Sequence, residues 1–205
     1  MIYNYILENY KTGEPIFLKD LPGKSRDYLR QEMKELVDEG KMERLYNGVY
    51  YLPYTTALGT EGTVFVGQYI EKKYLSAGGE VSGYVTGMQL VNQLGFTTQN
   101  PARYEVSSNA ATTRQRKETF NGIDIYVYKP VAKVTERNKT ALQFLDLMSV
   151  IDKYSEVSGD SLKKKLRQYV DSVKMDFQIV KEYLPLYPDK VFRNIYQGGL
   201  IGELV

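Results

Sequence analysis

The stretch that most constrains this chain is Ser25 to Pro53, SRDYLRQEMKELVDEGKMERLYNGVYYLP, which reads as one helix running straight into a tight β-hairpin. Ser25 is placed to cap the helix by accepting a backbone N–H bond, and Gly40 sits where a left-handed stop belongs. Between them Leu29, Met33 and Leu36 fall at i, i+4 and i+7 with Val37 beside them, giving one apolar stripe. Two β-prone runs come next, Met42 to Tyr46 and Val49 to Leu52. Asn47-Gly48 joins them and predicts a type I′ turn, which needs positive φ at both central positions.

A helix leading into a hairpin is the second half of a winged helix-turn-helix, and the upstream residues supply the first half. Met1 to Tyr10 reads as a short helix burying Ile2, Ile6 and Leu7. Pro15 to Phe17 adds a short strand, Leu18 to Leu21 a single helical turn, and Pro22-Gly23 the connection. On the 25–40 helix Arg30 and Lys34 lie opposite the core stripe, with Gln31 nearby and Arg26 on the flank. The acids Glu35, Asp38 and Glu39 gather toward the other end. A recognition helix enters the major groove by its N-terminal part, so this polarity suits double-stranded DNA. The residues expected to touch DNA are Ser25, Arg26, Arg30, Gln31 and Lys34 on the helix, with Arg44 and Asn47 on the wing. The bland alternative is a small core helix with a solvated charged face.

Absences narrow the rest. With no Cys and no His among 205 residues, disulfides, a thiol nucleophile, a Cys/His zinc centre and a Ser-His-Asp hydrolase are excluded. No paired-acid motif stands in their place, so neither catalytic residues, a metal site nor a cofactor is expected. No run of 18 apolar residues occurs and the N-terminus lacks a signal-peptide pattern, which predicts a cytoplasmic chain with no membrane partner. Residues 1–53 carry eight Lys+Arg against nine Asp+Glu, and the remainder holds the excess of positive charge. One cationic face is enough for a DNA reader, but the weak overall charge lowers nonspecific affinity. A unit of about 50 residues is also marginal alone, so residues 1–53 are expected to lean on the C-terminal part of the chain.

After a joint at Tyr54 to Gly59, a second domain is expected over 60–205: α+β, with a small antiparallel sheet and a helical C-terminal tail. Thr60 to Leu75 reads as a helix. SAGGEVSG (76–83) is a turn that lacks the Lys-Ser/Thr of a phosphate loop, and Ser82 to Leu94 reads as a helix stopped by Gly95. Gly87 inside that helix suggests close approach to a neighbouring backbone. Period-two patterning then predicts strands over 103–107, 113–120 and 123–128, with a hairpin at Asn121-Gly122; the middle strand is polar enough to be a charged sheet edge. Helices are expected over 135–152, opened by half a capping box at Thr135 and Asn138, then over 161–173, 175–184 and 189–196. Arg114 and Arg116, with Lys163, Lys164 and Arg167 of the KKKLR cluster, form a secondary basic patch suited to phosphates, or else a solvated face. The apolar end, Leu200 to Val205, must dock on this chain or on a partner.

Three stretches carry a family likeness: GKMERLYNGVYYLP, SGYVTGMQLVNQLGFTTQNPARYEVSSN and NGIDIYVYKP. In this order they resemble the AbiEi-type antitoxin and transcriptional-regulator family of type IV toxin–antitoxin (abortive infection) systems. The likeness spans about residues 15–150, and Phe96 stands where the family commonly has Leu. The resemblance implies a winged helix over 1–53 that binds inverted repeats in its own promoter, as a homodimer or as cooperative monomers, and represses the operon. It also implies a second domain that counters a nucleotidyltransferase-like toxin without requiring a direct complex. Two other readings stand beside it: a protein-interaction module or stand-alone winged-helix regulator with no toxin partner, and an enzyme using residues between Ser76 and Arg116.

Overall fold

The computed structural model describes residues 2–23 and 25–204; Met1 and Val205, expected at the ends of the first helix and the apolar tail, lie outside them. The fold is mixed α+β, 47% helical and 18% strand, with helix dominating the C-terminal part. Backbone packing divides the chain into two compact units, Met1–Lys72 and Lys73–Val205.

In the first unit, α1 (Ile2–Asn9) is succeeded by β1 (Ile16–Phe17), a 3-10 turn at Leu18–Asp20, α2 (Arg26–Asp38), β2 (Glu43–Tyr46) and β3 (Val49–Tyr51). Ile2 and Ile6 bury one stripe of α1, but Leu7, about 100° further round the helix, is half exposed rather than core. Leu29, Met33 and Leu36 of α2 meet them together with Ile16, Met42 and Tyr50. Ser25 caps α2 as expected, its Oγ accepting from the Tyr28 N–H at 3.1 Å. At the far end Gly40 takes φ +70°, and the Lys41 and Met42 amides both bond the Leu36 carbonyl.

The three strands form one antiparallel sheet in the order β1-β3-β2. Its hairpin differs from the expected type I′ turn, because only Gly48 of the Asn47-Gly48 pair takes a positive φ. A register shift between Arg44 and Tyr46 absorbs the difference, so β2 is bulged where it meets the turn.

Residues 54–72 belong to this unit. The helix expected over Thr60 to Leu75 is confined to α3 (Val66–Ile70) and a π-helical turn at Glu71–Leu75. Thr60 to Gly62 instead fold back on Tyr54 to Thr56. Gly62 N bonds the Tyr54 carbonyl at 2.8 Å, and a Cβ on Gly62 would enter the Tyr54 ring. Tyr69 of α3 packs on Phe17 and Tyr46, at ring-centroid separations of 5.9 and 6.3 Å, giving the sheet its second hydrophobic cover.

In the second unit two segments expected to be turn and helix are strands. Ser76–Ala77 (β4) and Glu80–Val81 (β5) pair across Gly78-Gly79, and Gly83–Val85 (β6) enters a larger sheet, so α4 is only Gly87–Gln93. The helical spacing of apolar residues from Val85 onward places the helix start one turn too early; Tyr84 and Val85 bond β7 instead. The large sheet runs β6-β7-β9-β8, with β7 (Arg103–Ser108), β8 (Gln115–Phe120) and β9 (Ile123–Tyr128). It is mixed, because β7 and β9 are parallel and the polar β8 lies at the edge. Here Asn121 and Gly122 both take positive φ, +48° and +77°, as a type I′ hairpin requires.

Four helices complete this unit: α5 (Lys139–Tyr154), α6 (Gly159–Ser172), α7 (Phe177–Tyr183) and α8 (Asp189–Gln197). α5 begins later than expected because Thr135 to Asn138 form a turn, in which the Asn138 Oδ1 accepts from the Thr135 N–H at 2.7 Å. Leu145, Leu147 and Met148 of α5, Leu166 and Val170 of α6, Val180 of α7 and Val191 and Ile195 of α8 share one core. Leu200 is buried in that core and Leu204 packs against it, so the described part of the apolar tail docks on its own unit.

Candidate functional site

The cap at Ser25 and the stop at Gly40 fix the length of α2, and the Leu29–Met33–Leu36 stripe fixes its rotation. Arg26, Arg30, Gln31 and Lys34 therefore all face solvent. The bulged hairpin brings Arg44 and Asn47 opposite the same helix. Arg30, Lys34, Arg44 and Asn47, with Val37, Asp38 and Tyr50, line one concavity of about 390 Å³. Four of the seven residues expected to touch DNA thus converge on a single groove; Arg26 and Gln31 are exposed on the same helix, and Ser25 lies at its N-terminus.

Local bonds orient these side chains. Arg30 Nη1 meets Asp27 Oδ1 at 2.7 Å, and Gln31 Nε2 donates to Glu35 at 2.8 Å, which leaves the Gln31 carbonyl oxygen outward. Arg44 donates to Asn47 Oδ1 at 3.1 Å and to the Tyr46 carbonyl at 3.4 Å, tying its guanidinium to the turn. These exposed pairs add little stability, a few tenths of a kcal/mol each. Their effect is to restrict rotamers before any partner arrives. Asp38 is the one acid in the groove, and α2 balances its cations with acids along its length.

The secondary basic patch does not form one surface. Arg116 turns inward, donating to the Tyr74 hydroxyl at 3.0 Å with its guanidinium over that ring. Lys163 pairs with Asp160 at 3.0 Å and Arg167 with Glu203 at 2.6 Å, while Lys164 is exposed. Arg114 is exposed and borders a different feature, a cavity of about 420 Å³ in the second unit.

That cavity contains residues that the sequence patterns do not single out. Glu105, in the middle of β7, is almost fully buried and accepts three bonds: from Arg103 (3.1 Å), the Tyr128 hydroxyl (3.1 Å) and the Met88 N–H (3.0 Å). Gly87 precedes Met88 with φ +61°, and a Cβ there would stand 2.5 Å from the Glu105 carboxylate. The close approach expected at Gly87 is therefore to a side chain, not to a backbone.

Asp146, on α5, accepts from Thr86 Oγ1 at 3.0 Å and from the Tyr187 hydroxyl at 2.9 Å. Burial pushes its carboxyl above the ordinary aspartate range, against these hydrogen bonds, which pull it down. The Tyr84 hydroxyl is buried beside it without a hydrogen bond of good geometry. A signal exists in the sequence: Asp146 interrupts the run LQFLDLMSVI on the same stripe as Leu142, where a solvated acid does not belong.

The Asn92 to Pro101 motif is also explained by packing. Asn92 Nδ2 donates to the Gln99 carbonyl at 2.9 Å and Phe96 fills the core. The Thr98 amide, Thr98 hydroxyl and Gln99 side chain converge on Glu156 at 2.7, 2.9 and 3.0 Å. Those donors, the Thr98 amide first, hold the Glu156 carboxyl down at about 2.

No family model matches the chain, and no curated protein matches it. Among the described residues no cluster of three or more acids has the geometry to hold a metal ion, and no helix is long and apolar enough to cross a membrane.

Proposed function

We propose that residues 1–53 act as a winged helix-turn-helix that binds double-stranded DNA, with α2 as the recognition helix and the β2–β3 hairpin as the wing. The observation carrying this reading is the convergence of Arg30, Lys34, Arg44 and Asn47 on one open groove, all solvent-exposed. Arg30 is suited to a guanine edge and Lys34 and Arg44 to phosphates. A bidentate arginine–guanine contact is worth ~1–3 kcal/mol of discrimination.

On this reading the protein is a cytoplasmic transcriptional repressor of its own promoter, acting at inverted repeats. Its further role, as antitoxin to a nucleotidyltransferase-like toxin in a type IV system, rests on the sequence resemblance over 41–54, 82–109 and 121–130. The reading has no enzymatic step and no cofactor.

Gel shifts on the DNA upstream of the gene test it. The wild-type chain is expected to shift that fragment, and Arg30→Glu to abolish the shift while its thermal unfolding stays unchanged. An unchanged shift by Arg30→Glu would refute the assignment of this groove. Co-expression with the neighbouring open reading frame tests the antitoxin role, which fails if that product is harmless without this chain.

A further inference from the structure

The cavity of the second unit has a charge arrangement that its own residues leave incomplete. Arg114 and Lys129 flank the open end of the β8–β9 hairpin, where the Lys129 N–H bonds the Arg114 carbonyl at 3.1 Å. Both line the cavity, both are exposed, and neither forms an ion pair with a described residue. Two like charges held side by side across paired strands repel each other unless an anion lies between them. Deeper in, Arg103 is neutralised by Glu105, and Asp146 is held toward its neutral form by burial. The uncompensated charge of the lining is therefore two positive charges at the mouth.

The deeper surface suits hydroxyl groups rather than apolar ones. Thr86, Ser107, Tyr128 and Ser149 line it alongside Glu105. A carboxylate offers about four lone-pair positions, and three donors already reach Glu105, so one remains. Val131, Val150 and Tyr154 supply the apolar share of the lining. The volume, about 420 Å³, lies in the range of small-molecule sites.

We propose that this cavity binds a phosphate monoester of a hydroxyl-bearing small molecule, such as a sugar phosphate or nucleoside monophosphate. Arg114 and Lys129 take the dianionic phosphate, and Glu105 accepts from a ligand hydroxyl. Arginine and lysine are the usual phosphate partners, and bonds to charged groups are the strong ones. The proposal is independent of DNA binding, which uses residues of the other unit.

Calorimetric titration of the full chain with ribose 5-phosphate and adenosine 5′-monophosphate tests it, with ribose and inorganic phosphate as comparison probes. At least one ester should bind saturably, more tightly than inorganic phosphate, and ribose should not bind measurably. Arg114→Ala with Lys129→Ala removes two charge-assisted contacts from exposed positions, so it should fold normally and weaken ester binding ~10- to 100-fold or more. Glu105→Gln should weaken the esters while leaving inorganic phosphate unchanged; if that variant does not fold, the Arg114/Lys129 comparison alone decides. Absence of ester binding, equal binding by the double variant, or inorganic phosphate binding as tightly as the esters would each overturn the proposal.

Discussion

The two units handle polar residues in opposite ways. In the first, the α2 cations stand outside an apolar core, held only by short surface pairs such as Arg30–Asp27. In the second, Glu105 and Asp146 are buried and satisfied by donors from four other segments of the chain. Surface charge costs little to keep and stays available to a partner. Buried carboxylates are costly without partners, so their bonds specify packing as much as they prepare a site. The same contrast appears in the hairpins. Asn121-Gly122 adopts the turn its dipeptide favours, whereas Asn47-Gly48 sits in a bulged turn whose register places Arg44 and Asn47 on the groove.

Substitutions in the two units should separate these roles. The largest effect is expected from Met33→Ala in the first core: Met33 is fully buried, and such truncations cost ~2–5 kcal/mol. Urea unfolding measures it, and a cost below the cost of losing a surface contact would show that α2 is not packed as described. Gly87→Ala comes next, at about 1–3 kcal/mol, because the left-handed backbone and the nearby Glu105 carboxylate both resist a Cβ. Glycine and alanine variants of equal melting temperature would break that account.

Asp146→Asn should change the pH dependence of stability. With the folded carboxyl raised above its unfolded value, its contribution is fully present below the unfolded pKa and is lost as pH rises through the folded one. The wild type should therefore lose this contribution across that window on going from acid toward neutral pH. The asparagine variant should lack the loss, since the hydroxyls of Thr86 and Tyr187 can reverse roles toward an amide. Identical pH profiles for the two proteins would contradict a raised Asp146. Ser25→Ala is the smallest of the series, at about 1 kcal/mol from the lost cap bond. Ser25→Asn should retain most of that stability, and equal losses from both would remove capping as the cause.

Legibility in the sequence divides along the same line. The cap at Ser25, the stripe Leu29–Met33–Leu36 and the exposure of Arg30 and Lys34 depend on spacing within one helix, and spacing is visible in sequence. The strands at 76–85 are not legible because Gly78, Gly79 and Gly83 break every periodic pattern, while the pairing of β6 is decided by β7, which lies 18 or more residues further on. The parallel placement of β7 beside β9 likewise depends on where the intervening β8 hairpin docks. The Glu105–Asp146 cavity joins residues from β7, α5 and the start of α4, and no local signal links them. Arg116 shows the converse: alternation along β8 predicts its face correctly, but only the position of Tyr74 decides that this face is inward.

The central claim is that the cationic side of the α2–hairpin groove meets the DNA backbone. Its most direct test is the salt dependence of operator affinity, measured by fluorescence anisotropy for the wild type and for Lys34→Ala with Arg44→Ala. Each phosphate contact contributes ~0.9 to the slope of log affinity against log salt, so the double variant should bind more weakly with a slope shallower by about 2. A wild-type chain whose affinity ignores salt, or a double variant with the wild-type slope, would contradict the account.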